Sequence, residues 1–267
     1  MNGLIPHPEI QALVSECEKL RTLLSQLYLR RDNLKLQVAP LLEIAYMNAF
    51  GGLECRIMQV QNEALRLRRK IDLIQAAKNR NERPDITRID ELLEMEFKEY
   101  LWQLEEKQRA TEMARKAAKE RIPMTTEESE QVRRLYREIV KATHPDLHPG
   151  ISRDKVRFFI DAQDAYSQGD IATLQAIATM LETAAPEVSA DGVEKLRKEL
   201  ERLRKVTGQV EADIGHIQES FPLSERELLE DADKIAARKK ELEEIFKNNE
   251  VVRDVYVARL NQMQEAQ

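Results

Sequence analysis

Large core-filling side chains are scarce in this chain: aromatic residues make up only 5% of its 267 positions. Eight glycines and nine prolines leave few places for tight turns, so the composition points away from an ordinary globule and toward long helices. The two cysteines, Cys17 and Cys55, have no metal-ligand or redox spacing, which predicts a reduced, cytoplasmic setting. No apolar run approaches the roughly eighteen residues of a bilayer span, and the opening M-N-G-L-I-P-H-P has no basic-then-apolar leader. No membrane partner is therefore expected. A Gly-rich phosphate loop, a nucleophile elbow and zinc-ligand spacings are all missing. The expectation is a protein that is not an enzyme, with no catalytic residues, no metal and no cofactor. A net charge of −6 gives no general attraction to nucleic acid, and none is expected as a partner.

Charge is abundant, with Asp, Glu, Lys and Arg at 34% of the chain, and it is arranged around apolar seams. The prolines fall at breaks between helical patterns. After Pro8, the positions Ile10, Leu13, Cys17, Leu20, Leu24, Leu27, Arg31, Leu34 and Val38 step by three and four, a coiled-coil repeat with one basic interruption. A second helix is expected from near Pro40 to about 77, with Gly51-Gly52 as a place for a kink or a close helix approach. Asp85 then caps a helix with Ile86, Ile89, Leu93, Phe97, Tyr100 and Leu104 on one face, where Trp102 is read as core or interface packing. The acidic stretch 91–106 complements the basic run Arg66–Lys70, which predicts antiparallel packing of these two helices. Near the C-terminus a helix opening at Asp191-x-x-Glu194 carries the seam Val193, Leu196, Leu200, Leu203, Thr207, Val210, Ile214, Ile217 and Phe221. Phe221-Pro222 turns the chain, and Ser224-x-x-Glu227 is expected to cap a returning helix.

These signals predict an all-α protein of long coiled-coil helices and an antiparallel helical hairpin flanking a small helical domain. The segments expected are 1–84 (antiparallel coiled-coil helices), 85–121 (a long connecting helix), 122–184 (the small domain) and 185–267 (the antiparallel hairpin). Each seam could close within one chain or against a second copy, so homo-oligomer formation stays open.

The small domain carries the most specific pattern. Thr125-x-x-Glu128 is a capping box, and Val132, Leu135, Tyr136, Ile139 and Val140 form one apolar helix face. Arg133, Arg134, Arg137 and Lys141 lie off that face, making the outward side basic. Pro145 ends the helix at His144-Pro145-Asp146. Ser152 then caps a helix with Phe158, Phe159, Ala162, Ala165 and Tyr166, and Gly169-Asp170 ends it before a short helix through Leu174 and Ile177. The two main helices should pack antiparallel with the loop protruding at their joint.

A basic L-Y-R-x-I-V-K helix ending at His-Pro-Asp, followed thirteen residues after the Asp by F-x-x-A-x-x-A-Y, resembles the J domain of the DnaJ co-chaperones. The resemblance covers about 60 residues of the 267. The family's first helix, marked Y-x-x-L-G, is missing, and the helical arm 107–121 is expected to replace it. The resemblance implies a partner, a DnaK-class 70 kDa heat-shock chaperone, whose ATPase the J domain stimulates. Asp146 would pair with an arginine of the chaperone, His144 and Pro145 would shape the loop, and Arg133, Arg134, Arg137 and Lys141 would steer docking. The long helices would choose a client or a location. A second reading is a coiled-coil scaffold whose J-like unit is only a packing module, suggested by Thr143 before the tripeptide and by Glu138 on the basic helix.

Overall fold

The computed structural model describes residues 8–120, 123–182 and 193–265, which are helical almost throughout and contain no strand. The protein is all-α. In order the helices are α1 (Pro8–Asn33), α2 (Ala39–Tyr46), α3 (Gly52–Asn79), α4 (Ile86–Glu120), α5 (Thr126–Thr143), α6 (Arg153–Gln168), α7 (Ile171–Glu182), α8 (Val193–Glu219), α9 (Arg226–Leu229) and α10 (Ala232–Glu265). The expected helix end at 121–122 and the cap at Asp191 lie outside the described residues.

Local chemistry sets the helix starts. Asp85 accepts from the Arg88 amide at 3.1 Å, and Ser152 from the Lys155 amide at 3.4 Å. Both halves of the Thr125–Glu128 capping box form. Gly169 ends α6 in the left-handed region at φ 70°, and Asp170 caps α7 through the Thr173 amide. Ser224 does not start the last long helix. A short 3-10 turn and α9 intervene, and Asp231 caps α10 by accepting from the amides of Asp233 and Lys234.

Pro40 does not break the helical path as expected. The turn before it, Leu34–Val38, widens to a π-helix in which the Ala39 amide reaches back to the Leu34 carbonyl. A π turn makes room for a proline ring that an α-helical carbonyl four residues back would obstruct. A second π turn covers Met47–Gly51.

The chain divides into two compact units, one from 1–41 and 122–224, the other from 42–121 and 225–267. This cuts across the segments expected from the punctuation. The expected stretch 1–84 is split between the units, and so is 185–267, with α8 in one unit and α10 in the other.

In the first unit α1 runs along α8 in the same direction. Glu9–Arg197 and Glu16–Arg204 bridge one flank, and Arg21–Glu199 and Lys35–Asp213 the other. Cys17 and Leu24 of α1, Leu34 of the following π turn, and Leu200, Leu203, Val210 and Ile214 of α8 are buried. Helices α5, α6 and α7 pack together beside α1.

In the second unit α3 is the central member. Helix α4 packs antiparallel to it, with Arg69 on Glu96 at 2.9 Å, Lys70 on Asp90 at 2.6 Å and Cys55 against Thr111 at 3.7 Å. The acidic and basic stretches therefore meet as their signs required. Helix α10 lies parallel to α3, with Leu242 against Phe50 and Ile57, and Leu260 against Ile71 and Ile74. Trp102 is 55% exposed and so is not a core residue of this chain; Leu93, Phe97 and Leu104 supply the buried face of α4.

Gly51 and Gly52 show why a close approach needs them. A Cβ on Gly51 would stand 2.7 Å from Thr111 Oγ1 and 2.9 Å from its Cγ2, and Thr111 is a short, buried side chain with nowhere to go. A Cβ on Gly52 would meet only the tip of the Arg115 side chain, which can swing away. We therefore expect Gly51→Ala to destabilise the protein by about 1–3 kcal/mol through overpacking. Gly52→Ala should be neutral or stabilising by up to about 1 kcal/mol from helix propensity. Urea denaturation of the two variants beside the wild type checks both values.

Candidate functional site

The amphipathic pattern of α5 places Val132, Leu135, Tyr136, Ile139 and Val140 in the core and leaves Arg133, Arg134, Arg137 and Lys141 exposed, as the sequence predicts. None of these four cations forms an ion pair among the described residues. Glu138 is also exposed and interrupts the strip. Helix α6 returns antiparallel, with Tyr166 stacked on Tyr136 at 4.2 Å and Phe159 edge-on to His144 at 4.7 Å.

His144 closes α5 in an extended conformation, φ −69° and ψ 126°, as a residue before proline must. Its Nδ1 accepts from the Asp146 amide at 3.1 Å, and its carbonyl accepts from the Leu147 amide at 3.0 Å. Leu147 is buried beneath the turn, and the His148 ring bonds back to the Lys141 carbonyl at 2.7 Å. Pro145 and Asp146 are half-buried. The loop is thus built by its own short-range bonds.

It does not protrude freely, which corrects the sequence expectation. His144 is only 6% exposed and lies face to face with Tyr28 of α1, ring centroids 3.6 Å apart. The Tyr28 hydroxyl donates to the Asp146 carboxylate, and Arg202 of α8 donates to the Asp146 carbonyl at 2.8 Å. Arg202 is itself held by Glu199 at 2.7 and 3.0 Å, and Glu199 by Arg21. Burial pushes the Tyr28 phenol well above its ordinary value, aided by Asp146.

The first helix of this small domain is also not where it was expected. The residues 107–121 lie in the other unit; Thr111 and Ala114 are buried in α4, with Thr111 against α3. The partner of α5 and α6 is the C-terminal half of α1. Asp32, 2% exposed, accepts from the Tyr136 hydroxyl at 2.6 Å and from both Arg31 donors at 2.9 and 2.7 Å. Asn33 accepts from the Tyr166 hydroxyl at 3.0 Å, and Gln37 donates to the Tyr166 carbonyl. Sequence reasoning named Leu24, Leu27, Arg31 and Leu34 but missed Tyr28, Asp32, Asn33 and Gln37. The available signal was a set of hydrogen-bonding residues one and four apart, flanking an apolar seam.

His144 is held neutral, its pKa pushed down to about 4 chiefly by burial; Asp146 and Asp32 work against that, and Arg31 and His148 with it. Among the described residues no cluster of three or more His, Cys, Asp or Glu could hold a metal ion, and no helix is long and apolar enough to cross a membrane.

Two stability predictions come from this geometry. Asp32→Ala leaves Arg31 and the Tyr136 hydroxyl without their acceptor and should cost about 3 kcal/mol. Tyr136→Phe removes one donor only and should cost about 1 kcal/mol. Both are read by chemical denaturation. Below neutrality, unfolded His144 takes up a proton around its ordinary pKa of 6.5 while the folded residue resists until about 4. The unfolded state then binds more protons, so stability is lost as pH falls from 6.5 toward 4, by up to about 3 kcal/mol. Thermal melts at pH 7 and 4.5 should show a smaller pH-dependent drop in His144→Gln than in the wild type.

Comparison of the chain with family models, with curated proteins and with solved structures finds no match.

Proposed function

We propose that this protein is a J-domain-type co-chaperone, which docks on a DnaK-class 70 kDa heat-shock chaperone in the cytoplasm and stimulates its ATPase. The observation that carries the reading is the exposed cationic strip of Arg133, Arg134, Arg137 and Lys141 on α5, leading to a braced turn with a carboxylate, Asp146, at its end. Such a surface attracts an acidic partner at long range and offers one anionic group for a specific pair at contact. His144 holds the turn through the Asp146 amide, and Pro145 ends α5. The ATPase residues belong to the chaperone, so no catalytic group is needed in this chain. The remaining long helices would select a client or a location.

A second reading, a non-catalytic scaffold with a J-like packing module, is favoured by a specific observation: the loop is bonded to Tyr28 and Arg202 of its own chain. The two readings part at Asp146. A packing module needs that residue for stability alone, whereas a docking loop needs its charge for partner recognition.

Single-turnover ATP hydrolysis by a DnaK-class chaperone separates them. Removing one member of a desolvated charge pair costs about 2–5 kcal/mol, so Asp146→Asn should weaken productive docking by tens- to thousands-fold. Neutralising Arg134 or Arg137 should mainly slow association and flatten its salt dependence. Equal acceleration by the wild type and Asp146→Asn would overturn the co-chaperone reading.

A further inference from the structure

The turn at 144–148 is already complete without help from outside α5 and α6. Its backbone bonds, the His148–Lys141 link and the buried Leu147 fix its shape. Two further contacts add nothing to that shape and bear on Asp146 itself. The Tyr28 hydroxyl occupies Oδ2 of its carboxylate, the atom an incoming cation would seek. Arg202 donates to its carbonyl at 2.8 Å and brings a guanidinium charge to the same residue. Arg202 is in turn the end of a charge chain, Arg21 to Glu199 to Arg202, that crosses from α1 to α8.

We infer that Tyr28 and Arg202 form an autoinhibitory latch on Asp146, in which the Tyr28 hydroxyl takes the carboxylate oxygen that a partner's arginine would bind and Arg202, held on the same residue's carbonyl, sets a like charge beside it. The inference rests on the docking reading above. An arriving arginine must displace the Tyr28 hydroxyl and would meet the like charge of Arg202, so only the fraction of molecules with the latch open can dock. Apparent affinity is then lower than intrinsic affinity by that fraction. Opening requires only loss of the Arg202 and Tyr28 contacts to Asp146, since the buried seam of Cys17, Leu24, Leu200 and Leu203 can keep the two helices together. A partner that takes Arg202 or Glu199 on α8 would thereby release the loop.

The test compares the full chain carrying Arg202→Met, which keeps the aliphatic length without donors, and Tyr28→Phe, which keeps the ring stacked on His144. Each is titrated against a DnaK-class chaperone in single-turnover ATP hydrolysis, beside the wild type. In parallel, hydrogen exchange is followed at the amides of Asp146, Leu147 and His148. Both variants should reach half-maximal stimulation at about ten-fold lower concentration, with the same maximum. Faster exchange should be confined to the loop amides, with α5 and α6 protected as in the wild type. Unchanged half-maximal concentrations would overturn the latch, as would weaker stimulation, which would make Arg202 part of the docking surface. Arg202→Met combined with Asp146→Asn should not stimulate. If that double variant stimulates as well as Arg202→Met alone, or if none of the proteins stimulates, the docking reading itself fails and the latch with it.

Discussion

A single buried carboxylate fixes how the first unit is assembled. Asp32 is enclosed between Tyr136 and Arg31, and a charge in that position is tolerable only when its lone pairs are all used. Rotating α1 by one residue would turn Asp32 by about 100° and leave it facing hydrocarbon. The carboxylate therefore sets the rotation of α1 about its own axis against α5, and it does so more sharply than apolar contacts could. Once α1 is set, Leu24 and Leu34 are committed to their buried positions, and Tyr28, one turn before Asp32, is committed to His144. The loop that carries Asp146 is covered by a residue more than a hundred places upstream.

This explains a feature that the resemblance to a J domain leaves unexplained, the missing first helix. The three helices α5, α6 and α7 bury one another's apolar faces, but Tyr136 and Tyr166 still require acceptors for their hydroxyls. Two aromatic hydroxyls in a core cost more unpaired than a hydrophobic neighbour could repay. Helix α1 supplies Asp32 and Asn33 for these two groups, and the π turn after it supplies Gln37 for the Tyr166 carbonyl. A helix from the other end of the chain thus satisfies the same packing requirement as a contiguous one, with 42–121 folded elsewhere as part of the second unit.

What could be read from the sequence divides along physical lines. Caps at Asp85, Thr125, Ser152 and Asp170 depend on neighbours three residues away, so they were visible in the chain. The apolar face of α5 and the seam of α8 follow from period alone, and the buried residues are those the period selects. Partner choice is different. Every seam of this kind offers the same branched aliphatic surface, and nothing local says that α1 takes α8 or that α3 takes α10 as well as its chain neighbour α4. Pro40 misled for a related reason: a π turn of five residues absorbs it, and whether that turn forms depends on the long-range packing of Leu34. The exposed cations of α5 were legible because they are defined by what they avoid, whereas the cover over Asp146 was not, since it depends on α1 and α8 arriving together.

The register of α1 against α8 then becomes the variable that governs Asp146. Weak surface pairs can settle a register when a shift converts several of them at once. In the observed alignment Glu9 and Glu16 face Arg197 and Arg204, seven residues apart on both helices, while Arg21 and Lys35 face Glu199 and Asp213 on the opposite flank. Sliding α8 back by seven residues would set Glu16 against Glu211, Arg21 against Val206 and Lys35 against Ser220, replacing three attractions with one repulsion and two losses. The apolar seam alone would tolerate such a slide, because its residues repeat at the same interval. The charges remove that freedom, and the alignment they select is the one that brings Arg202 to the carbonyl of Asp146. Access to the loop is therefore written in the flanking charges of two helices that have no direct part in the His-Pro-Asp turn.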